Sequence, residues 1–218
     1  MIPLAFINLE RRVDRRESVE KQLSEQSIPT VYRYVAKDAC VYKFSSDELE
    51  VFSKADFIRD QRIAKPIMCN FLSHYDLWDF MVENSIPKMI ITQDDVVLKP
   101  NFSSYVYSMS LYLPDDAEVV WLATPEQVSL KHFYTTPLVD RESITPYVSL
   151  LEPSVNPCSL CYLITLEGAK NLKELAQQRG VHRATDRWMN DYLIGKHIFY
   201  VSSQIVATSN QAFGSDIF

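Results

Sequence analysis

Glycine is scarce in this sequence, with only 4 among 218 residues, whereas an average protein contains about 7%. The glycines also lie far apart, at Gly168, Gly180, Gly195 and Gly214. Dinucleotide-binding fingerprints and P-loops need several closely spaced glycines, because their backbones approach the phosphates directly. The sequence therefore excludes both motifs. Any phosphorylated ligand must be held by side chains or through a metal ion.

Long basic runs, long apolar runs and a cysteine framework are also missing. The net charge is −6, and without a basic stretch this argues against nucleic-acid binding. No run of about 18 apolar residues predicts a transmembrane helix, and residues 2–9 are too short for a secretory signal. We therefore expect a cytoplasmic protein whose composition allows peripheral membrane contact and a homodimer. The four cysteines are too few and too scattered for a disulfide framework.

The order of the predicted elements favours a single α/β domain over residues 1–218. An apolar strand at 3–9, a helix at 15–25 capped by Asp14, and a β-branched strand at 30–35 indicate a parallel sheet. Further strands are predicted at 88–92, 96–98, 118–123, 159–165 and 199–202. Further helices are predicted at 45–54 (with Ser45 and Glu48 as a capping box), 67–83, 101–112, 167–178 and 185–193. Residues 124–156 are expected to form loops and short hairpins.

Two adjacent acids follow the predicted strand at 88–92, in the sequence Gln93-Asp94-Asp95. Ligands of open α/β sheets collect at the carboxyl ends of strands, and side chains alternate along an extended chain. Asp94 and Asp95 should therefore face different sides, one towards a hard cation and the other towards a ligand hydroxyl. Carboxylates suit Mg²⁺ or Mn²⁺, which are often shared with substrate phosphates. The alternative is a turn or helix cap, which is our interpretation of Asp115-Asp116.

Several arginines follow Asn8 at the end of the first predicted strand. Guanidinium groups at this place could hold a diphosphate bidentately. The alternative, which we favour for most of them, is the exposed start of a helix.

Three other groups each have a structural and a functional interpretation. His74 lies at the edge of an apolar helical stripe, where histidine is more often structural than a ligand or base. Cys158 and Cys161 lack the second ligand pair of a zinc site, so we interpret them as packing residues. Asp186 is either a helix cap or a general base.

Six segments in order resemble glycosyltransferase family 25, which includes bacterial lipooligosaccharide galactosyltransferases and collagen hydroxylysine galactosyltransferases. They are INLERRVDRR at 7–16, FLSHYDLW at 71–78, MIITQDDVVLKPNF at 89–102, CYLITLEGAKNL at 161–172, TDRWM at 185–189 and SNQAFGSDI at 209–217. The resemblance implies a GT-A type nucleotide-sugar-binding fold with a mostly parallel central sheet flanked by helices. It also implies a nucleotide-sugar-binding half at about 1–125 and an acceptor half at about 126–218.

The implied reaction moves galactose or glucose from UDP-galactose or UDP-glucose to an acceptor hydroxyl, with inversion and with Mn²⁺ or Mg²⁺. The implied acceptor is a glycan or a hydroxylysine-type group. The resemblance makes Asp95 the favoured metal ligand, with Asp94 beside it, and Asp186 the catalytic base. The implied donor-binding residues are Asn8, Leu9, Arg11, Arg15, Ser73, His74, Asp94 and Asn210.

Two departures from the family pattern support an alternative function. Gln93 stands where the family usually has glutamate, and residues 66–70 replace a glycine-rich stretch before the Ser73-His74 pair. The alternative is a non-catalytic family member that binds a sugar nucleotide, a glycan or a partner protein. A metal-dependent hydrolase would require more converging histidines than the sequence offers.

Overall fold

The computed structural model describes residues 2–53, 55, 61–124, 148–150, 158–193, 199–202, 204, 206–214 and 216. The α/β prediction is confirmed. The strands are β1 (Leu4–Asn8), β2 (Val31–Val35), β3 (Lys88–Gln93), β4 (Val96–Leu98), β5 (Val119–Trp121), β6 (Ala123–Thr124), β7 (Val148–Leu150), β8 (Cys161–Thr165), β9 (Phe199–Ser202) and β10 (Ala207–Ser209). The helices are α1 (Val13–Glu25), α2 (Ser46–Val51), α3 (Gln61–Glu83), α4 (Phe102–Ser110), α5 (Leu166–Arg179) and α6 (Thr185–Leu193).

A seven-stranded sheet in the order β2-β1-β3-β8-β5-β9-β7 forms the centre of the described fold. Strands β2, β1, β3, β5 and β9 run in one direction, while β8 and β7 run against it. The sheet is therefore mostly parallel by strand direction, as predicted. Strands β1 and β3 are parallel neighbours, so Asn8 and Gln93 end at the same edge.

Helices pack on both faces of this sheet because its central strands are apolar on both sides. Along β1, Ala5 and Ile7 join the core beneath α3, α5 and α6, whereas Leu4 and Phe6 join the core beneath α1 and α4. The same alternation continues through β3 and β8. The result is a three-layer arrangement whose central strands deliver their last residues to one edge.

A small second sheet lies beside this edge and brings the end of the chain to it. Its strand order is β4-β10-β6, with β10 antiparallel to β4 and parallel to β6. A 3₁₀ turn at Gln211–Phe213 follows β10. The segment after β9 therefore contains a strand and a turn.

Two helix starts differ from the predictions. Helix α3 begins at Gln61 rather than at 67, with Pro66 inside it. Burial outweighs the backbone bond that Pro66 cannot make, because the apolar spacing of the helix extends back to the buried Ala64. Helix α1 begins at Val13, with Arg12 at the N-cap position and no side-chain capping bond from it, so Asp14 lies in the first turn instead of at the predicted cap.

Other local predictions hold. Ser45 and Glu48 form the predicted capping box at the start of α2. Asp115 and Asp116 lie in a turn. Most of the predicted loop at 124–156 lies outside the described residues, apart from Thr124 and β7. Within the described part of the chain, every helix is too short or too polar to cross a bilayer.

Candidate active site

Asp94 is held between the ends of two neighbouring strands. The Asn8 side chain donates from Nδ2 to Asp94 Oδ2 at 2.7 Å, and Arg15 Nη1 donates to Asp94 Oδ1 at 3.1 Å. Asp94 and Arg15 are both buried, with side-chain exposures of 7% and 6%. Both carboxylate oxygens of Asp94 thus have protein donors. Asp94 organises the site, and Asn8 and Arg15 lie together as the sequence predicted.

Asp95 has the opposite environment. Its Oδ1 atom is buried and has no hydrogen-bond partner among the described residues. Burial raises the pKa of Asp95 above its ordinary value, and nearby Arg15 only partly offsets this. An unpartnered buried carboxylate oxygen is costly unless a cation or donor arrives. Asp95 is therefore the carboxylate available to a ligand. The two aspartates have different environments, but they lie in a turn between β3 and β4 rather than in an extended strand, so side-chain alternation is not the cause.

A cavity of about 340 Å³ opens beside the two aspartates. Six of the predicted site residues line it: Leu9, Arg11, Arg15, Ser73, Asp94 and Asp95. The remaining polar lining comes from Lys37, Asp38, Arg62, Lys65, Asn70, Gln93 and Asp216. The cavity therefore combines cationic side chains with a carboxylate pair, a combination that suits an anionic ligand accompanied by a metal ion.

Several residues at this cavity were not predicted from the sequence, and Asp216 makes the most ion pairs among them. It pairs with Arg11 Nη1 at 3.0 Å, Arg12 Nη1 at 2.5 Å and Arg15 Nη2 at 3.0 Å. The tail motif that contains Asp216 was recognised, but nothing in the sequence pairs it with arginines 201 to 205 residues away. We call Arg11, Arg12 and Arg15 the arginine cluster.

Ser73 and His74 point to different places although they are adjacent on α3. The Ser73 hydroxyl lines the cavity, donating to Cys69 O at 2.8 Å and accepting from Lys37 N at 3.1 Å. His74 is fully buried and does not line the cavity. The interpretation of His74 as a structural residue is therefore confirmed, and its role in donor binding stays a prediction.

His74 belongs to a neutral network behind the cavity wall. Its Nδ1 lies 2.8 Å from Tyr162 Oη, which also accepts from Trp78 Nε1 at 3.0 Å. Its Nε2 lies 3.5 Å from Gln93 Nε2. Burial lowers the pKa of His74 to about 3, so the imidazole is neutral at physiological pH. We call His74, Trp78, Tyr162 and Gln93 the histidine network; its only cavity-lining member is Gln93.

Asp186 lies near the cavity but outside its lining. The preceding residue, Thr185, donates from Oγ1 to Oδ1 of the lining residue Asn70 at 2.8 Å. Burial raises the pKa of Asp186, which makes its carboxylate a better proton acceptor. Its role as catalytic base stays a prediction.

Cys158 lies close enough to Asp186 and Asp95 to sense both charges. Burial chiefly, and then both carboxylates, raise its pKa to about 12. Cys161 is buried in β8. Both thiols are therefore protonated packing groups, as predicted.

Asn210 contacts the site through its backbone rather than its side chain. Its N–H donates to Asp95 O at 2.6 Å, while its Oδ1 accepts from Ala212 N at 3.1 Å and starts the 3₁₀ turn. Asn210 therefore fixes the tail against Asp95.

The side chains at the cavity fit a divalent cation only if a bound ligand supplies part of the metal coordination. Among the described residues, no group of three His, Cys, Asp or Glu side chains converges as a metal cage. Asp95 Oδ1 is the unoccupied oxygen, and Asp94 already has two donors. Mg²⁺-type sites with one or two carboxylates typically rely on substrate phosphates and water. Asp95 fits such a site.

Comparison with known proteins defines the class to which this fold and site belong. The sequence model of glycosyltransferase family 25 (LPS biosynthesis protein) matches residues 1–189. This chain belongs to glycosyltransferase family 25.

The relatives share modest identity with the chain. Human procollagen galactosyltransferase 2 is 26% identical over 171 residues, which cover 77% of this chain and 26% of the relative. A glycosyltransferase 25 family member from Anopheles gambiae is 28% identical over 177 residues, covering 77% of this chain and 28% of the relative. The chain thus spans about a quarter of the length of these curated relatives.

A solved structure supports the fold. The glycosyltransferase involved in glycosylation of the major capsid of PBCV-1 superimposes with a TM-score of 0.52 at 8% identity, covering 99% of this chain and 94% of that one. The expected glycosyltransferase-type α/β fold is confirmed.

Proposed function

We propose that this protein is a metal-dependent, inverting glycosyltransferase that moves a hexose from a UDP-sugar to an acceptor hydroxyl. The observation that carries the proposal is the buried, unpartnered Oδ1 of Asp95 beside an arginine-lined cavity. The family membership and the name of the human relative favour UDP-galactose as donor, with UDP-glucose as the alternative. A glycan or hydroxylysine-type hydroxyl is the proposed acceptor.

The residues around the cavity have different proposed roles, which follow from the contacts that each residue makes. Asp95 would hold Mn²⁺ or Mg²⁺, and such an ion would neutralise charge on the departing diphosphate. Asn8 and Arg15 fix Asp94, which keeps the guanidinium of Arg15 on the cavity wall. Arg11 and Arg15 would bind donor phosphate oxygens through paired N–H groups. Leu9 and Ser73 shape the wall.

Inversion requires one direct displacement at the sugar's anomeric carbon. The acceptor oxygen forms a bond to that carbon while the carbon–phosphate oxygen bond breaks and UDP leaves with the bonding electrons. The acceptor's proton goes to a carboxylate, for which Asp186 is the proposed base because burial raises its pKa. The cytoplasmic location and the homodimer stay predictions.

A UDP-release assay with UDP-galactose and UDP-glucose in the presence of Mn²⁺ tests the proposal. We expect the variant Asp95→Asn to lower turnover by about 10³-fold, comparable to the loss of a transition-state electrostatic partner. Asp115→Asn is the matched control, because Asp115 lies in a surface turn, and it should leave turnover unchanged. Equal turnover of wild type and Asp95→Asn would overturn the assignment of Asp95.

Binding without turnover would favour the alternative. If thermal shift shows that UDP binds, but no UDP-hexose is turned over with any divalent cation, the protein is a non-catalytic sugar-nucleotide-binding member of its family. Gln93 and residues 66–70, which depart from the family pattern, would then be the first positions to restore.

A further inference from the structure

The end of the chain lies against the proposed phosphate site. We call residues 210–214 together with Asp216 the tail strap. The Asp216 carboxylate forms an ion pair with the guanidinium of each member of the arginine cluster. Asp216 also lines the cavity. Carboxylate and phosphate oxygens offer the same kind of acceptor to a guanidinium fork. Asp216 therefore occupies the donors that a diphosphate would use.

The rest of the tail strap makes contacts that depend on the same arginines. Arg15 Nη2 donates to Gly214 O at 2.7 Å, and the Phe213 ring lies 5.8 Å from the Arg15 guanidinium carbon and 5.9 Å from that of Arg12. The Asn210 N–H donates to Asp95 O. The strap thus bridges the arginine cluster and the proposed metal ligand.

The charges of the arginine cluster are already balanced by carboxylates of the protein. Arg11 pairs with Asp38, Arg12 with Asp14, Arg15 with Asp94, and all three with Asp216. Three guanidiniums therefore face four carboxylates, which leaves one negative charge in excess before Asp95 is counted. A diphosphate drawn into the cavity by Lys37, Arg62 and Lys65 would therefore meet a net negative charge at the arginine cluster itself. Removing Asp216 balances the charges and frees a guanidinium donor on each arginine.

The backbone next to Asp216 is suited to such a movement. Gly214 has φ = +64°, in the left-handed region that glycine adopts without strain. A Cβ built at Gly214 would meet no atom within 4 Å. The strap's helical turn is short, and its amides at Ala212, Phe213 and Gly214 bond only within the strap. The tail strap can therefore move about Gly214 and Asn210 without breaking its internal bonds.

We propose that Asp216 is a displaceable internal anion, which holds the arginine cluster in the absence of donor and gives way to the diphosphate of a nucleoside diphosphate sugar. This inference rests on the proposed function. In this inference, binding of the diphosphate moves the tail strap away from the arginines. The strap does not close over a bound diphosphate, because it already contacts the arginines.

Asp216→Asn tests the affinity consequence. The asparagine keeps the side-chain shape and removes the competing charge, so we expect UDP and inorganic pyrophosphate to bind about 10-fold more tightly, within the usual range of coupling between sites. Isothermal titration calorimetry without metal measures both. Asp14→Asn is the matched control: it removes an exposed carboxylate from the same Arg12 and should change affinity less than twofold. Asp216→Glu should restore wild-type affinity.

Hydrogen exchange tests the movement itself in the full chain. The Asn210 amide reports the movement, because it donates outside the strap, to Asp95 O. Saturating UDP should speed its exchange in the wild type by about 10-fold, and Asp216→Asn should show fast exchange already without UDP. Unchanged or weaker UDP binding by Asp216→Asn, or unchanged or slower exchange of the Asn210 amide with UDP, would overturn the inference while leaving the proposed function intact. Absence of UDP binding by both proteins, with Mn²⁺ as well as without it, would overturn both.

Discussion

The arginine cluster and the histidine network lie on opposite sides of the same cavity wall and stabilise buried polar groups differently. The arginine cluster uses formal charges, and its central member, Arg15, is buried against Asp94. The histidine network uses neutral groups, because burial keeps His74 uncharged and Tyr162 Oη serves two ring nitrogens. Charged groups therefore lie where a ligand can replace one of their partners. Neutral groups lie where the interior must stay packed.

The comparison has an energetic consequence. Removing one member of a buried charge pair leaves an uncompensated charge, at a cost of about 3–5 kcal/mol. Removing one member of a neutral hydrogen-bonded set costs about 1–3 kcal/mol for each group left without a partner. Four substitutions or conditions probe this difference.

Arg15→Leu should have the largest effect on stability. It leaves the buried Asp94 carboxylate without its guanidinium and removes the donor to Gly214 O. We expect the free energy of unfolding at pH 7 to fall by about 4 kcal/mol, measured by urea denaturation. Arg16→Leu, one position along the same helix, is the matched control and should change stability by less than about 0.5 kcal/mol. A small loss at Arg15 would show that Asp94 finds another donor or becomes protonated.

Tyr162→Phe tests the histidine network. The phenol oxygen contacts His74 Nδ1 and accepts from Trp78 Nε1, and all three side chains are buried. Its loss leaves two ring nitrogens without that partner, so we expect a loss of about 3 kcal/mol in urea denaturation. Tyr107→Phe, at a residue that is 54% exposed, should be close to neutral. Similar losses for both variants would mean that the network does not depend on the phenol.

His74 should give the neutral network a pH dependence. Its pKa of about 3 in the folded protein lies below the unfolded value of about 6.5, so the unfolded chain binds more protons as pH falls. This contribution is fully present above about pH 6.5 and is lost on acidification, by about 2 kcal/mol between pH 7 and pH 5. The raised pKa values of Asp95 and Asp186 act in the opposite direction: they destabilise the fold above their raised values, and acidification relieves this until the ordinary Asp pKa of about 4 is reached.

Urea denaturation of wild type and His74→Gln at pH 7 and pH 5 measures this dependence. The variant should lose about 2 kcal/mol less than the wild type over this interval. His182→Gln is the control, because His182 is partly exposed and pairs with Asp191. Parallel losses in wild type and His74→Gln would show that His74 is not the group that titrates.

The sequence predicted the parts of the site that depend on strand ends. Asn8 ends β1 and Asp94 follows β3, so the carboxyl-end rule places both at one edge of the sheet. That β1 and β3 are neighbours, which lets Asn8 and Asp94 meet, is seen only in the structure. The different environments of Asp94 and Asp95 come from the partners of each residue in the turn after β3, not from side-chain alternation.

The sequence could not predict the parts that depend on distant packing. Asp216 reaches Arg15 only because β10 pairs with β4 and β6, and this pairing has no signature in a three-residue strand. His74 is buried because Tyr162, 88 residues away, supplies its partner. Helix α3 continues through Pro66 because tertiary burial outweighs a local helix-breaking signal.

Gln93→Glu should have the smallest effect on stability. Gln93 joins the two regions, because it belongs to the histidine network and also lines the cavity. The Gln93 amide donates to Ser159 O at 3.3 Å and Ser159 Oγ at 3.2 Å, and lies 3.5 Å from His74 Nε2. A carboxylate would face the Ser159 carbonyl without a proton to donate and would add charge beside Asp94 and Asp95. We expect a loss of about 1 kcal/mol at pH 7.

The same carboxylate would favour protonated His74 and raise its pKa, so the difference in unfolding free energy between the variant and the wild type should shrink from pH 7 to pH 5. Gln204→Glu is the charge-matched control, because the exposed Gln204 accepts from Asn101 through Oε1 and a carboxylate can keep that bond. A gap that widens on acidification would show that the new carboxylate does not pair with His74. In that case only the contact with Ser159 would require a neutral residue at position 93. Gln93 would not mark the boundary between the charged and the neutral region.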